Sequence, residues 1–261
     1  MDGRYFFVAW SSQLFGYIVI LQAVGTQKQI EKVEREANRG TYGAWRREFC
    51  KRYREVYFRI CQEASQDQKN YLNSTGSEIT CHKGCAYCCV QYISISLAHG
   101  LIIVDYLYSN PKVMELFFMR YKHWQKSVAG SPALQVLEQY TTFSPAVRRT
   151  PQALLDEYAR LGVPCPFLVG RACSIYPVRP ICCASHVSVS PPENCREGSA
   201  ALPLISEAVP SQEQLRELAL LGESVLSMHQ ETLPQLIYKL LTEGLPGILS
   251  NLELISGTGH S

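Results

Sequence analysis

Eight of the eleven cysteines in this 261-residue chain fall in two short windows. The first is Cys81-His82-Lys83-Gly84-Cys85-Ala86-Tyr87-Cys88-Cys89. The second runs from Cys165-Pro166-Phe167-Leu168 through Cys173-Ser174-Ile175-Tyr176 to Arg179-Pro180-Ile181-Cys182-Cys183. Thiols two or three residues apart on Gly- and Pro-bearing turns can converge on one soft cation, because a tight turn directs successive sulfurs inward. The pattern therefore predicts a metal site. An odd number of cysteines leaves one over in any fully disulfide-bonded scheme. In a reducing compartment clustered thiols serve as ligands rather than bridges, so the expected location is the cytoplasm.

Neither window closes a four-sulfur shell easily. The first offers Cys81, Cys85 and Cys88 plus the adjacent Cys89, whose side chain points elsewhere. In the second, Cys165, Cys173 and Cys182 are separated by longer, proline-bearing stretches. The two windows are expected to share ligands. Zinc in four sulfurs would be closed and structural; an iron–sulfur cluster, expected as [4Fe–4S], would add electron transfer or catalysis. There are more thiols than one closed zinc site needs, which tilts the choice toward iron–sulfur and leaves zinc as the alternative. Four thiolates around Zn²⁺ or [4Fe–4S]²⁺ leave two negative charges. His82, Lys83, Arg171 and Arg179 are the cations at hand, Arg179 the best placed because Pro177 and Pro180 stiffen its backbone. His82 and His186 are the nitrogen donors within reach, although a lone histidine is more often a hydrogen-bonded bystander.

The Cys81, Cys85, Cys88 spacing alone also matches radical S-adenosylmethionine enzymes, where three thiolates hold a cluster with one open iron. Those enzymes set the motif in a βα barrel, and this chain shows no series of βα units. The longer pattern of Cys-x3-Cys-x2-Cys-Cys, Cys-Pro-Phe-Leu, Cys-Ser-Ile-Tyr and Arg-Pro-x2-Cys resembles the YkgJ-type cysteine-cluster family, described as a zinc- or iron-chelating domain. The likeness spans about residues 78–197 and rests on Cys81, Cys85, Cys88, Cys89, Cys165, Cys173, Cys182 and Arg179-Pro180. It implies that those seven cysteines are the metal ligands. At Cys183 the family usually has Arg, so an eighth thiol replaces a cation and the number of ligands and metals stays open. A flagellin lysine N-methylase carries a related cluster. An enzyme, of that kind or of the radical kind, is thus the alternative to a metal-binding protein without turnover.

The surrounding chain must position these loops. Apolar residues make up 46% and charged residues 18%, ordinary for a globular protein, and the net charge of +2 gives no case for nucleic acid. Residues 5–27 carry no charge. They have three readings: a membrane anchor (through residues 5–24), a poor signal peptide, or an apolar helix or start-site artefact. Residues 28–66 read as helix with a break at Gly40 and Gly43 and an apolar stripe of Phe49, Tyr53, Val56 and Ile60. Cys50 and Cys61 read as packing residues. Ile93 and Ile95 mark a short strand, expected to pair with Val187 and Val189. Ser96 is the predicted N-cap of a helix to Tyr108, and Asn110-Pro111 starts another with Val113, Phe117, Tyr121 and Trp124 on one face. A helix from Thr150-Pro151 to Gly162 carries Leu154, Leu155, Tyr158 and Leu161 and feeds Cys165. After a proline-rich loop to Pro210, Ser211 and Gln214 form a capping box, and Thr232-Leu233-Pro234 opens a last helix that stops at Gly244.

The expected fold is mainly α, with a small β element and irregular cysteine-rich loops. Four regions are expected: an apolar N-terminal segment (1–27), an N-terminal helical region (28–77), a cysteine-cluster domain (78–197) and C-terminal helices packed on it (198–261). No serine–histidine–acid arrangement, phosphate loop or dinucleotide fingerprint is present.

Overall fold

The computed structural model describes residues 42–141, 152–196, 198–221, 226 and 229–257. The apolar stretch of residues 5–24, with its three readings, lies outside them, as does the expected Gly40 break. Among the described residues no helix is long and apolar enough to cross a membrane.

The chain is mainly helical. Nine α-helices occur among the described residues, with three two-stranded antiparallel sheets. Helix α1 (Tyr42–Ser74) runs unbroken through Gly43 and well past the expected end. Its buried face is Cys50, Tyr53, Tyr57, Ile60 and Ala64, a step of three or four throughout. Strand β1 (Ser94–Ser96) leads into α2 (Leu97–Ser109), capped as expected by Ser96, whose Oγ accepts from the His99 amide at 3.3 Å. Helix α2 is apolar nearly all round and forms the centre of the core, packed between α1 and α8 (Leu233–Thr242). Gly100 permits that approach: a Cβ there would stand 2.7 Å from Leu240 Cδ1.

Helix α3 (Pro111–Val128) buries Phe117, Tyr121, Trp124 and Val128. Helices α4 (Pro132–Thr141) and α5 (Gln152–Arg160) pack on each other, and α5 buries Tyr158 as its sequence predicts. Helix α7 (Gln212–Leu221) opens on the reciprocal Ser211–Gln214 capping box, at 2.7 and 3.2 Å. It lies against α1, where Arg59 reaches Glu217 at 2.6 Å.

Two further expectations change. Strand β1 pairs with Gln230–Thr232, and Val187–Ser188 pairs with Ile205–Ser206 instead. Strands of two or three residues carry too little pattern to select a partner. The choice follows the helices, since β1 runs into α2, Gln230–Thr232 runs into α8, and α2 packs on α8. The chain also does not end its helices at Gly244. That residue adopts φ +71°, closes α8, and is followed by α9 (Gly244–Gly257) with Pro246 in its first turn.

Candidate metal centre

Three short elements carry the first window into place. Helix α1 ends at a left-handed Gly76 (φ +66°), and the extended chain beyond it bonds residue 188: Thr80 donates to the Ser188 carbonyl from its amide at 2.9 Å and its hydroxyl at 3.0 Å. The Ser188 amide in turn donates to Cys81 Sγ at 3.1 Å. Gly84 (φ +91°) then turns the chain into a 3₁₀ turn, Tyr87–Val90, which holds Cys88 and Cys89. None of the residues from 81 to 91 is fully buried, so hydrogen bonds rather than core packing hold this window.

The second window is built differently, with apolar anchors alternating with thiols. Phe167 is buried and stacks on Phe117 at 4.6 Å between ring centres; Ile175, Val178 and Ile181 are buried as well. Between Phe167 and Ile175 lies a two-stranded hairpin (Leu168–Val169 with Ala172–Cys173) whose turn places Gly170 at φ +56° and Arg171 at φ +65°. Two left-handed residues are what a tight hairpin turn requires, but the second costs a side chain such as arginine energy. Arg171 offsets that cost by donating from Nε to the Gly84 carbonyl at 3.0 Å, which joins the hairpin to the first window. A second tie is the Cys165 amide, 2.8 Å from the Cys89 carbonyl. Cys182 and Cys183 follow Pro180 on the short helix α6 (Ile181–Ser185).

These ties bring the windows to one cavity of about 710 Å³, walled by Cys81, Cys85, Cys88, Cys89, Cys165, Cys173, Cys182 and Cys183. Every cysteine expected from the sequence is therefore at one place, Cys183 included. Their sulfurs stand around the wall rather than meeting at one point: among the described residues no group of three His, Cys, Asp or Glu side chains is gathered tightly enough to hold a metal ion. As donors they suit soft metals, and there are enough for a cluster. His82, Lys83, Arg171 and Arg179 line the same cavity. Arg179 also stacks over the Tyr176 ring at 4.1 Å and acts electrostatically on Cys173.

Burial sets the protonation of the free thiols. Cys165 is pushed up to about 12 by desolvation, and Cys85 and Cys173 are raised for the same reason. Cys183 is held high first by its hydrogen bond with Cys182 and then by burial. In the neighbouring pair, Cys89 lies below the ordinary thiol range because Cys88 donates to it, and Cys88 is raised by the same bond. Any metal must displace protons from this set, so uptake releases acid.

Three further residues belong to this region. His186 lines the cavity beside Cys88, and its Nδ1 lies 2.7 Å from Glu207 Oε1. Its Nε2 is 3.5 Å from the amide of Gln91, another wall residue. A carboxylate on one ring nitrogen fixes the tautomer and raises the basicity of the other, the arrangement common behind metal-bound histidines. Cys195, at the end of a 3₁₀ turn (Pro192–Cys195), hydrogen-bonds Ser188 and lies within electrostatic reach of Cys81, Cys85 and Cys88. Cys61 on α1 hydrogen-bonds Tyr57 and lies within electrostatic reach of Cys182. Neither has a close cysteine neighbour in sequence, which is why spacing alone passes over them.

No family model matches this chain, and no curated protein or solved structure is significantly similar to it.

Proposed function

We propose that this is a cytoplasmic metal-binding protein in which thiolates from both cysteine windows share one centre, an iron–sulfur cluster in preference to zinc. The observation that carries this reading is the single cavity walled by all eight window cysteines. Half-buried thiols concentrated on one wall and not paired into disulfides are suited to binding a soft metal. Cys81, Cys85, Cys88, Cys89, Cys165, Cys173 and Cys182 are the ligand set that the YkgJ-type resemblance implies, and Cys183 and His186 are the further donors the cavity offers. Zinc–sulfur bonds of about 2.3 Å would draw four sulfurs to within about 3.8 Å of one another. Eight thiols exceed what one such closed shell needs, which favours the iron–sulfur core. The cluster would supply electron transfer or Lewis acidity; the chain's own part is to exclude water, offset charge with Arg179 and Arg171, and fix the donors through the ties between windows.

A second reading, an enzyme built around the same centre, is favoured by the size of the cavity. About 710 Å³ is well beyond the need of a metal centre and within the range of small-molecule sites. Anaerobic purification followed by metal analysis and an absorption spectrum tests the first reading. Brown protein with a broad band near 400 nm, roughly where thiolate-to-iron charge transfer falls, is expected. Colourless protein with stoichiometric zinc would replace the iron by zinc, and protein with no bound metal would refute the reading.

A further inference from the structure

The charge of the cavity wall is one-sided. Lys83, Arg171 and Arg179 line it with His82 and His186, and among the described residues no aspartate or glutamate does. The whole chain nearly balances, with 25 lysines and arginines against 23 acids, so the wall departs from the average. Glu207 comes near only through His186 Nδ1, at 2.7 Å, and is not a wall residue. Elsewhere cations meet carboxylates, as Arg54 does Asp105, Arg59 Glu217 and Lys239 Glu231. Among the described residues Lys83, Arg171 and Arg179 form no ion pair. Arg171 is also the only non-glycine among them at positive φ, +65°. Such strain persists where surrounding contacts enforce it, and it gathers at ligand sites. The bond from Arg171 Nε to the Gly84 carbonyl, at 3.0 Å, sets this guanidinium beside the Lys83–Gly84 backbone. Two exposed cations therefore meet where the windows join. The centre does not use up the charge: four thiolates around Zn²⁺ or [4Fe–4S]²⁺ leave two negative charges against three permanent cations. A cleft lined by one sign of charge concentrates ions of the other.

We propose that the cavity binds a small organic anion, its carboxylate or phosphate group held by Arg171 and Lys83. Both groups present paired oxygens that match a guanidinium fork, and the lysine adds a point charge. A volume of about 710 Å³ leaves room for such a molecule beside the centre. Val163, Leu168 and Val187, half-buried residues of the wall, offer apolar surface to the rest of it. The inference deepens the enzyme reading above and rests on it, naming the class of molecule that the space beside the thiols would take.

The test uses full-length, anaerobically purified protein and three probes followed by ¹⁹F NMR: 4-fluorobenzoate, 4-fluorophenyl phosphate and the neutral 4-fluorobenzamide. Saturable binding of at least one anion is expected, about tenfold or more tighter than the amide, and weakening with added salt. Comparison of the two anions assigns carboxylate or phosphate. Arg171→Gln should weaken the bound anion about tenfold, the worth of a charge-assisted hydrogen bond. Lys83→Gln changes an exposed side chain and leaves the tie between Arg171 and Gly84 in place. It should cost about threefold to fivefold, which separates lost charge from a disturbed hairpin. Amide binding as tight as that of the anions, or unchanged affinity in both variants, overturns the proposal. Saturable binding of the amide alone refutes the anion class and leaves the enzyme reading, whereas no binding by any probe overturns both. Metal analysis of the same samples reports on the centre independently.

Discussion

His99 shows how a single residue ties the core to the cysteine loops. It is buried in α2, packs edge-on to Tyr57 at 4.6 Å, and places Nε2 3.1 Å from the Val178 carbonyl in the second window. Burial lowers its pKa to about 4, despite that bond. Above about pH 6.5 both folded and unfolded chains hold it neutral. Between about 6.5 and 4 only the unfolded chain takes up the proton, so stability falls as the pH falls, by about 3 kcal/mol in all. Replacement by glutamine should remove that slope, measured as the difference between the two proteins in urea unfolding across the range. His186 is the other histidine with a task. If its Nε2 is a metal donor oriented by Glu207, Glu207→Gln should weaken metal retention against a chelator tenfold or more, with the fold intact. Unchanged retention would make His186 a structural residue. The clustered cysteines announce themselves in the sequence by density. Cys195 and Glu207 do not, because Cys195 joins the region by its hydrogen bond to Ser188 and Glu207 meets His186 beside the pairing of Val187–Ser188 with Ile205–Ser206, which spacing cannot reveal.

The two windows differ as structural elements, and the difference has a consequence for metal removal. Phe167, Ile175, Val178 and Ile181 fix the second window in the core, whereas residues 81–91 have no buried anchor. Chelation should therefore open the first window to proteolysis and hydrogen exchange well before the second. Equal protection of residues 81–91 with and without metal would contradict this. Among the helices, α2 and α8 cross closely at Gly100. Gly100→Val would drive a branched side chain into Leu240 and Leu236, for an expected loss of at least about 2 kcal/mol in urea unfolding. The helical elements were plain from the sequence wherever periodicity and caps agreed, as at Ser96, Asn110-Pro111 and Ser211. The extension of α1 to Ser74 was not, because polar residues such as Gln62, Gln66 and Asn70 hide the period. At Gly244 the stop is legible in the sequence, but the restart at Leu245-Pro246 is not, because a proline so soon after the glycine reads equally as loop.

At the scale of the molecule, one apolar core serves both helices and site. It runs from α1 through α2 and α8 to Phe167, Ile175 and Ile181, so the loops that carry thiols are extensions of the core rather than an appended module. The mainly α class with small β elements followed from periodicity; the convergence of residues about 90 apart did not, since only the folded ties between Cys165 and Cys89 and between Arg171 and Gly84 create it. A metal bridging the windows closes that long loop and should add several kcal/mol to stability. The decisive measurement is metal content per chain in Cys85→Ser and Cys173→Ser, each purified anaerobically beside the unaltered protein. One shared centre predicts that either substitution alone removes most of the metal. Retention of half the metal in either variant, with the opposite window still protected from protease, would mean two independent sites and contradict the shared centre.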